Sequence, residues 1–144
     1  MTTRSVVVGR DGRAKAYRPL PESERRAAFE AGIAAYEAGD FFEAHELLEP
    51  AWMGTDDLAD RAFLQGLIKL AAAYVHGVRG NPLGIGRNLE GARDRLAEAL
   101  ESGASSDGVD LVALVADIDA RLTDLAARPD EVRLDPPSLH RSTT

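Results

Sequence analysis

Polar side chains that can do chemistry share a predicted helix face with large apolar residues between positions 41 and 52. At about 100° per residue, His45, Glu49 and Trp52 fall within about 60° of one another. Imidazole and carboxylate groups can bind a ligand, hold a metal ion or move a proton, and an indole ring offers a flat apolar contact. Because such polar groups are costly to bury alone, this face predicts a polar neighbour on another element.

A second polar stripe consists of Gln65, Lys69 and His76, the later two lying four and eleven residues after the first. This spacing puts all three on one face of a helix. If two helices pack antiparallel, His45 or Glu49 can meet this stripe across a groove. Two alternatives stay open: the first pair satisfies itself and fixes the register of the helices, or the stripe is a solvated surface.

The letters H-E-L-L-E, which begin at His45, partly match the zinc-binding pattern H-E-x-x-H. Glu49 stands where that pattern has its second histidine, and a carboxylate can also bind zinc. One alternative function is therefore a metal-dependent hydrolase, with His45, Glu49 and His76 as its ligands. Glu46 would be its general base. Because Pro50 disturbs the helix that would carry this pattern, we expect no bound metal or cofactor.

The composition narrows the class of protein. The 144 residues are 44% hydrophobic and 28% charged, which is the balance of one globular domain. The net charge of −7 disfavours nucleic acid and anionic membranes as partners, and no apolar run reaches the roughly 20 residues of a membrane span. Cysteine is absent, which removes thiolate chemistry. We expect a cytoplasmic protein, monomeric or a small homo-oligomer, and the scarcity of lysine is typical of a GC-rich prokaryotic genome.

Hydrophobic periodicity predicts five helices within residues 22–128. Residues 1–21 are predicted to form an extended basic arm that lies along the acidic body. Residues 129–144 are predicted to form an extended tail, which Leu134 and Leu139 can hold against the core. The predicted helices run from Glu22 to Gly39, from Phe41, from Leu58 to Arg79, from Pro82, and from Leu111 to Arg128.

Local signals add detail to this outline. A short strand is predicted from Val6 to Val8. Asp40 with Glu43 predicts a capping box at the start of helix two. Pro50 predicts a kink or an early end of that helix, since proline lacks the backbone N–H that the helix needs. His140, in the tail, is expected to lie in solvent.

Two helical hairpins show a similar order of small and large residues when Gly39-Asp40 is placed over Gly80-Asn81. The pattern resembles the tetratricopeptide repeat, in which small residues let two helices approach closely. Equivalent positions are 80 − 39 = 41 residues apart, compared with about 34 in that repeat. The predicted fold is therefore an all-α single compact bundle of about five antiparallel helices, with tetratricopeptide-like hairpins in the first four.

Two linked motifs resemble a known family. The first is F-E-A-H-E-L-L-E from Phe42, followed by Trp52, and the second is F-L-Q-G-L-I from Phe63, followed by A-A-A and His76. Over roughly Arg25 to Leu100, they are similar to the small prokaryotic all-helical family of domains of unknown function numbered three hundred and nine. The resemblance implies a compact helical bundle with no assigned activity, substrate or cofactor. It also implies a shared cluster between helices two and three at His45, Glu46, Glu49, Trp52, Gln65 and His76.

These observations together favour a non-catalytic helical module that binds a protein partner or a small ligand. We expect the ligand in a groove between helices two and three, where Trp52 would anchor it and the polar groups would orient it. The predicted binding residues are His45, Glu46, Glu49, Trp52, Gln65, Lys69 and His76. The metal-dependent hydrolase stays the alternative.

Overall fold

The computed structural model describes residues 6–8 and 14–142. Within these ranges the chain forms five α-helices that follow a short two-stranded β-ribbon. This architecture confirms the predicted all-α bundle. No helix in these ranges is long and apolar enough to cross a membrane. The elements are β1 (Val6–Val8), β2 (Ala14–Ala16), α1 (Glu22–Glu37), α2 (Phe41–Met53), α3 (Leu58–Val78), α4 (Pro82–Glu101) and α5 (Leu111–Ala127).

The ribbon connects to the bundle at the C-terminal end of α2. β1 pairs antiparallel with β2, which confirms the strand predicted there. After β2, the backbone N–H of Arg18 donates to the carbonyl oxygen of Met53 at 2.7 Å. The basic residues Arg4, Arg10 and Arg13 of the predicted arm lie outside the described residues. The position of the arm along the acidic body therefore stays a prediction.

Consecutive helices pack on each other, so the first four helices form two hairpins, α1–α2 and α3–α4. Each hairpin closes tightly at a glycine. A Cβ atom added to Gly32 of α1 would lie 2.6 Å from Cγ of Leu48 on α2. One added to Gly66 of α3 would lie 2.6 Å from Cγ of Leu96 on α4. Because each leucine fills the space that a side chain would need, the two helices of a hairpin come close together.

The centre of the bundle is α3, which packs on both α2 and α4. Its Leu70, Ala71 and Ala73 have no exposed surface. α5 covers the outer side of α4, and its Leu114 and Ile118 are also fully buried. Burying one such leucine or isoleucine contributes roughly 1.5–3 kcal/mol, so the apolar stripes that predicted the helices also hold them together.

The starts of the helices differ in how they are capped. The side chains of Asp57, Asn81 and Asp110 each accept a hydrogen bond from a backbone N–H three residues later. The side chain of Asp40 accepts none, so the capping box predicted with Glu43 is wrong. The ψ angle of Asp40 is 72°, the least extended of the four capping positions. An N-cap side chain reaches the first turn best from an extended backbone.

The second helix continues through its proline. α2 ends at Met53, where the N–H of Gly54 donates to the carbonyl oxygen of Pro50 at 2.9 Å. The predicted early end of this helix is therefore wrong. Ala51, directly after the proline, is only 1% exposed, so packing of the last turn of α2 against the core compensates for the hydrogen bond that proline removes.

The segment after α5 is extended and packs on the bundle. Pro137 and Leu139 are buried, and the hydroxyl of Tyr36 donates to the carbonyl oxygen of Pro137 at 2.7 Å. The hydroxyl of Tyr74 donates to the carbonyl oxygen of Asp135 at 3.1 Å. Burial raises the pKa of Tyr74 to about 12 and raises the pKa of Tyr36 as well. Both hydroxyls therefore stay protonated donors, and they fix the tail across α1 and α3.

Charged side chains fix the end of this segment. Arg141 donates to both carboxylate oxygens of Glu30, with Nη1 lying 2.7 Å from Oε2. This hydrogen bonding lowers the pKa of Glu30. Nε2 of His140 lies 2.6 Å from Oδ2 of Asp117, while the side chain stays 38% exposed, as expected for a residue in solvent. The contact joins the tail to α5, and nothing in the local sequence of the tail predicts it.

Candidate functional site

One pocket brings together most of the polar residues that the sequence analysis singled out. It has a volume of about 280 Å³ and lies between α2 and α3, with α4 at one edge. We call it the α2–α3 pocket. Five of the seven predicted binding residues line it, whereas Glu46 and His76 do not. The lining residues are His45, Glu49 and Trp52 of α2, Gln65, Ile68, Lys69 and Ala72 of α3, and Asn88 of α4.

The α2 wall of the pocket lies beside the buried stripe of that helix. Ala44, Leu48 and Ala51 face the core and are at most 1% exposed. His45 and Glu49 each follow one of the first two in sequence, which rotates them about 100° towards the surface. The side chain of His45 is 32% exposed, and Glu49 is exposed. Both groups therefore stand at the rim of the pocket, where a ligand could reach them.

The imidazole of His45 does not pair with the carboxylate predicted for it. Its Nδ1 lies 3.5 Å from Oε1 of Glu46, and no ion pair with Glu49 is present among the described residues. The side chain of Glu46 is 57% exposed. The internal His45–Glu49 pair that would fix helix register is therefore not formed, and Glu49 keeps its carboxylate available at the pocket.

The amino group of Lys69 is the main positive charge of the α2–α3 pocket. Its aliphatic stem rests on α4, because a Cβ atom added to Gly91 would lie only 2.9 Å from Cδ of Lys69. Lys69 is partly buried, and within residues 6–8 and 14–142 its amino group has neither an ion-pair nor a hydrogen-bond partner. A partly desolvated ammonium group without a partner is a ready site for an anionic ligand group.

The indole of Trp52 is held in position by a buried arginine. The guanidinium carbon of Arg61 lies 4.8 Å from the centroid of the Trp52 ring, a cation–π contact. Arg61 is 5% exposed and donates to the carbonyl oxygens of Trp52 at 3.2 Å and Thr55 at 2.9 Å. Burial lowers the pKa of Arg61. The ring therefore presents a fixed apolar surface at the pocket.

The predicted binding residues did not include the apolar lining residues Ile68 and Ala72, or two polar residues of this site, Arg61 and Asn88. Arg61 precedes Gln65 by one helical turn, and that spacing could have placed it on the same face of α3. Asn88 lines the pocket from α4, and its amide Nδ2 donates to the carbonyl oxygen of Gly84 at 2.8 Å. The sequence carried no signal for Asn88, because the edge that α4 contributes depends on how the two hairpins pack.

His76 lies away from the pocket, at the turn between α3 and α4. Its Nδ1 is 3.2 Å from Nδ2 of Asn81, and its ring packs so closely on Gly84 that an added Cβ atom would lie 2.5 Å away. His76 follows Lys69 by two helical turns, which is about 10 Å along the helix axis. The two residues share a face of α3, but they lie at different heights on it.

The three ligands of the hydrolase alternative are therefore not assembled. His45 and Glu49 lie at the pocket, and His76 lies at the α3–α4 turn. Across the described part of the chain, no group of three or more His, Asp or Glu side chains could hold a metal ion. The partial zinc motif is therefore present in the sequence, but the third ligand that a catalytic zinc site requires does not lie beside it.

Comparison with protein families gives one match. The model described as Domain of unknown function (DUF309) matches residues 29–87. This stretch begins in α1 and ends in α4, so it includes both hairpin turns and every lining residue of the α2–α3 pocket except Asn88. No curated protein and no solved structure matches the chain. Over residues 29–87, the match confirms the resemblance of this chain to the DUF309 family of domains of unknown function.

Proposed function

We propose that this protein is a non-catalytic binding module whose α2–α3 pocket takes a carboxylate attached to a flat apolar group. The carboxylate can belong to a free small molecule or to the end of a partner's polypeptide, since both offer the same chemistry. The observation that carries the proposal is the amino group of Lys69, which has no partner among the described residues, in a pocket that the indole of Trp52 also lines.

The polar half of the pocket favours an anionic group. A ligand that enters the pocket would displace water from the amino group of Lys69. Two charge-assisted hydrogen bonds from Lys69 to the ligand's carboxylate would replace that water. Gln65 and Asn88 carry amides, which can donate to the same carboxylate or accept from a neighbouring hydroxyl. Glu49, at the rim, would repel a second negative charge, so a ligand with one carboxylate fits better than one with two.

The apolar half of the pocket favours a flat group of limited size. Trp52, Ile68 and Ala72 supply this surface, and Arg61 fixes the indole from outside the pocket. Ligand pockets usually measure roughly 300–1,000 Å³, and this one has a volume of about 280 Å³. It therefore suits one aromatic ring with its carboxylate, or a single terminal residue of a partner.

Binding is favoured over catalysis by what lines the pocket. None of its lining residues carries a hydroxyl or a thiol that could act as a nucleophile beside His45. The described residues also provide no three-ligand metal group that could activate water. The hydrolase alternative therefore has no observation in its favour.

Fluorescence tests the proposal directly, because Trp52 is the only tryptophan of the chain. Benzoate titrated into the full chain should change the emission of Trp52 with saturation, whereas neutral benzamide should bind at least tenfold more weakly. Lys69→Met keeps the apolar stem and removes the charge, so it should weaken benzoate binding at least tenfold. Arg128→Met, on the exposed end of α5, is the matched control and should bind normally.

Two peptides separate the sources of the carboxylate. A short peptide that ends in phenylalanine with a free carboxylate should outcompete benzoate if the ligand is a polypeptide end, and its amidated form should not. If benzoate binds and neither peptide competes, the ligand is a free small molecule. The proposal is overturned if no aromatic carboxylate changes the Trp52 emission, or if Lys69→Met binds benzoate as tightly as the wild type.

A further inference from the structure

A second recess lies on another part of the bundle and does not depend on the function proposed above. It has a volume of about 170 Å³ and lies between α1, the start of α3 and the loop that joins α4 to α5. Its charged lining residues are Glu22, Arg25 and Arg26 of α1, Asp60 of α3 and Asp107 of the loop. None of the residues that line the α2–α3 pocket takes part in it. We call it the Arg25 recess.

Arg25 carries donors that the protein does not use. Its Nε atom is buried and has no hydrogen-bond partner. The rest of its guanidinium group also forms no ion pair within residues 6–8 and 14–142. Because Nε is closed to solvent, the donors open to a ligand in the recess are those of the two Nη groups, which are not buried. A planar guanidinium fork matches a carboxylate better than any other common acceptor group.

Two carboxylates face the recess with spare acceptor capacity. Oδ1 of Asp60 accepts the backbone N–H of Ser105 at 2.9 Å, and Oδ1 of Asp107 accepts Nη2 of Arg26 at 3.3 Å. Within the described chain, the second oxygen of each carboxylate has no donor of its own. Burial raises the pKa of Asp60, although the nearby charge of Arg25 acts to lower it. An ammonium group would supply the missing donors to both.

The floor of the recess is apolar and narrow. It is formed by Phe29, Phe63 and Leu64, which are 4%, 2% and 7% exposed. Phe29 follows Arg25 by one turn of α1, and Phe63 follows Asp60 by about one turn of α3. The charged side chains are partly buried or exposed, so they stand at the rim above these buried rings. Only a small apolar group can enter between them.

The charges of the recess favour a ligand that carries both signs, because Arg26 already pairs with one oxygen of Asp107, whereas Arg25 has no partner among the described residues. A lone anion on Arg25 would face the carboxylates of Asp60 and Asp107, and a lone cation between those carboxylates would leave Arg25 unpaired. A molecule that carries both charges satisfies all three residues at once. We propose that the Arg25 recess binds a small free α-amino acid. Its carboxylate lies on Arg25, its ammonium group lies between Asp60 and Asp107, and its side chain lies on the apolar floor.

Calorimetry with matched probes tests this proposal on the full chain. Glycine, L-alanine, L-serine and L-valine are titrated at millimolar concentration, followed by the amide and the N-acetyl derivative of the tightest binder. The amide lacks the carboxylate and the N-acetyl form lacks the ammonium group. We expect saturable binding of at least one amino acid and at least a tenfold loss for each derivative. Absence of binding by all four, or equal binding of either derivative, overturns the proposal.

Substitutions of the charged residues of the Arg25 recess test whether the amino acid binds there. Arg25→Gln and Asp107→Asn should each weaken binding at least tenfold, and the exposed control Arg128→Gln should leave it unchanged. Circular dichroism of each variant verifies that the helices are intact. Should Arg25→Gln fail to fold, Asp107→Asn still decides, because Asp107 lies in a loop outside the helices. Unchanged binding in a folded Asp107→Asn variant contradicts the assignment.

Discussion

The two helical hairpins close in the same way but differ at their turns. In α1–α2, Leu48 fills the space beside Gly32, and in α3–α4, Leu96 fills the space beside Gly66. The Cβ atom that each glycine lacks would lie 2.6 Å from the leucine Cγ in both hairpins. The contact inside a hairpin is thus a repeated unit, apolar and tight, and it leaves no room for a ligand.

The turns show the difference. Gly39 and Gly80 both have positive φ angles, 83° and 71°, which glycine adopts without steric cost. After them, Asn81 caps α4 with its side chain, whereas Asp40 does not cap α2. His76 also packs on the second turn. The second turn is therefore reinforced by polar side chains, whereas the first is bridged by an edge-to-face contact of the rings of Tyr36 and Phe41, whose centroids lie 5.5 Å apart.

The contact between the two hairpins differs from the glycine–leucine contacts inside them. There α2 meets α3 with a lysine, a histidine and two amides at the edge, and a pocket of about 280 Å³ remains. Tight glycine–leucine contacts hold the two helices of each hairpin together. The polar residues between α2 and α3 are therefore not needed to close either hairpin. Apolar contacts also cross between the hairpins, since the ring centroid of Phe29 lies 5.9 Å from that of Phe63 and the centroid of Phe41 lies 5.3 Å from that of Tyr74. The proposed binding therefore lies at the polar edge of a contact whose interior is apolar.

The largest expected effect comes from removing the leucine of either hairpin. Leu48→Ala and Leu96→Ala should each lower the free energy of unfolding by about 2–5 kcal/mol, because each leaves a cavity at a fully packed contact. Urea unfolding of the two variants measures this directly. A loss below about 1 kcal/mol in one of them would show that the hairpins do not close by the same device.

The glycines should show a smaller effect that depends on the leucines. Gly32→Ala and Gly66→Ala should each cost about 1–3 kcal/mol, since the new methyl group displaces a packed side chain. In the Leu48→Ala background, Gly32→Ala should instead be neutral or stabilising by up to about 1 kcal/mol, because alanine favours the helix over glycine. Additive losses in the double variant would contradict the proposed contact.

Substitutions at the two turns should lower the stability of the protein by different amounts. Asn81→Ala should cost about 1 kcal/mol, because the amide of Gly84 loses its acceptor. Asp40→Ala should cost less than about 0.5 kcal/mol, because its side chain accepts no bond at the helix start. Thermal unfolding of both variants in one buffer tests the difference. Equal losses would mean that Asp40 caps α2 in solution.

The smallest effect is a pH dependence that only the first hairpin should show. Hydrogen bonding from Arg141 lowers the pKa of Glu30 below its usual value of 4.5. The pair therefore stabilises the fold above about pH 4.5, and this contribution is lost as the pH falls through the lower pKa of the folded state. Glu30→Gln should lose up to about 1 kcal/mol near neutral pH and nothing in strong acid.

Glu90→Gln is the matched control for this prediction. Glu90 is exposed on α4, in the second hairpin, and its carboxylate has no partner in the described chain. Its substitution should leave the melting temperature unchanged at both pH values. A loss for Glu30→Gln that persists in acid would show that the ion pair is not its cause.

The parts of the fold that follow from local chemistry could be predicted from the sequence. Glycine and proline signals gave the starts of α1 to α5, because backbone conformation at those residues is set locally. The angular position of a side chain on a helix could also be predicted, and His45, Lys69 and Trp52 do line one pocket. The height at which α2 crosses that face of α3 could not be predicted, so the sequence does not show that His76 lies beyond the pocket that Lys69 lines.

Contacts between distant segments could not be predicted. The bond from Tyr36 to Pro137 spans 101 positions, and no periodicity in the tail indicates it. Arg61 is buried only because the carbonyl oxygens of Trp52 and Thr55 happen to face it. Such contacts depend on tertiary packing, and they fix both the tail and the indole at the pocket.

Protection of Lys69 from acetylation is the most direct test of whether the α2–α3 pocket binds a carboxylate at this residue. Lys69 and Lys15 are the two lysines of the chain, so Lys15 serves as an internal reference when the protein is acetylated and analysed by mass spectrometry. Saturating benzoate should slow acetylation of Lys69 at least tenfold and leave the rate at Lys15 unchanged. Equal rates at Lys69 with and without benzoate would contradict the proposed binding.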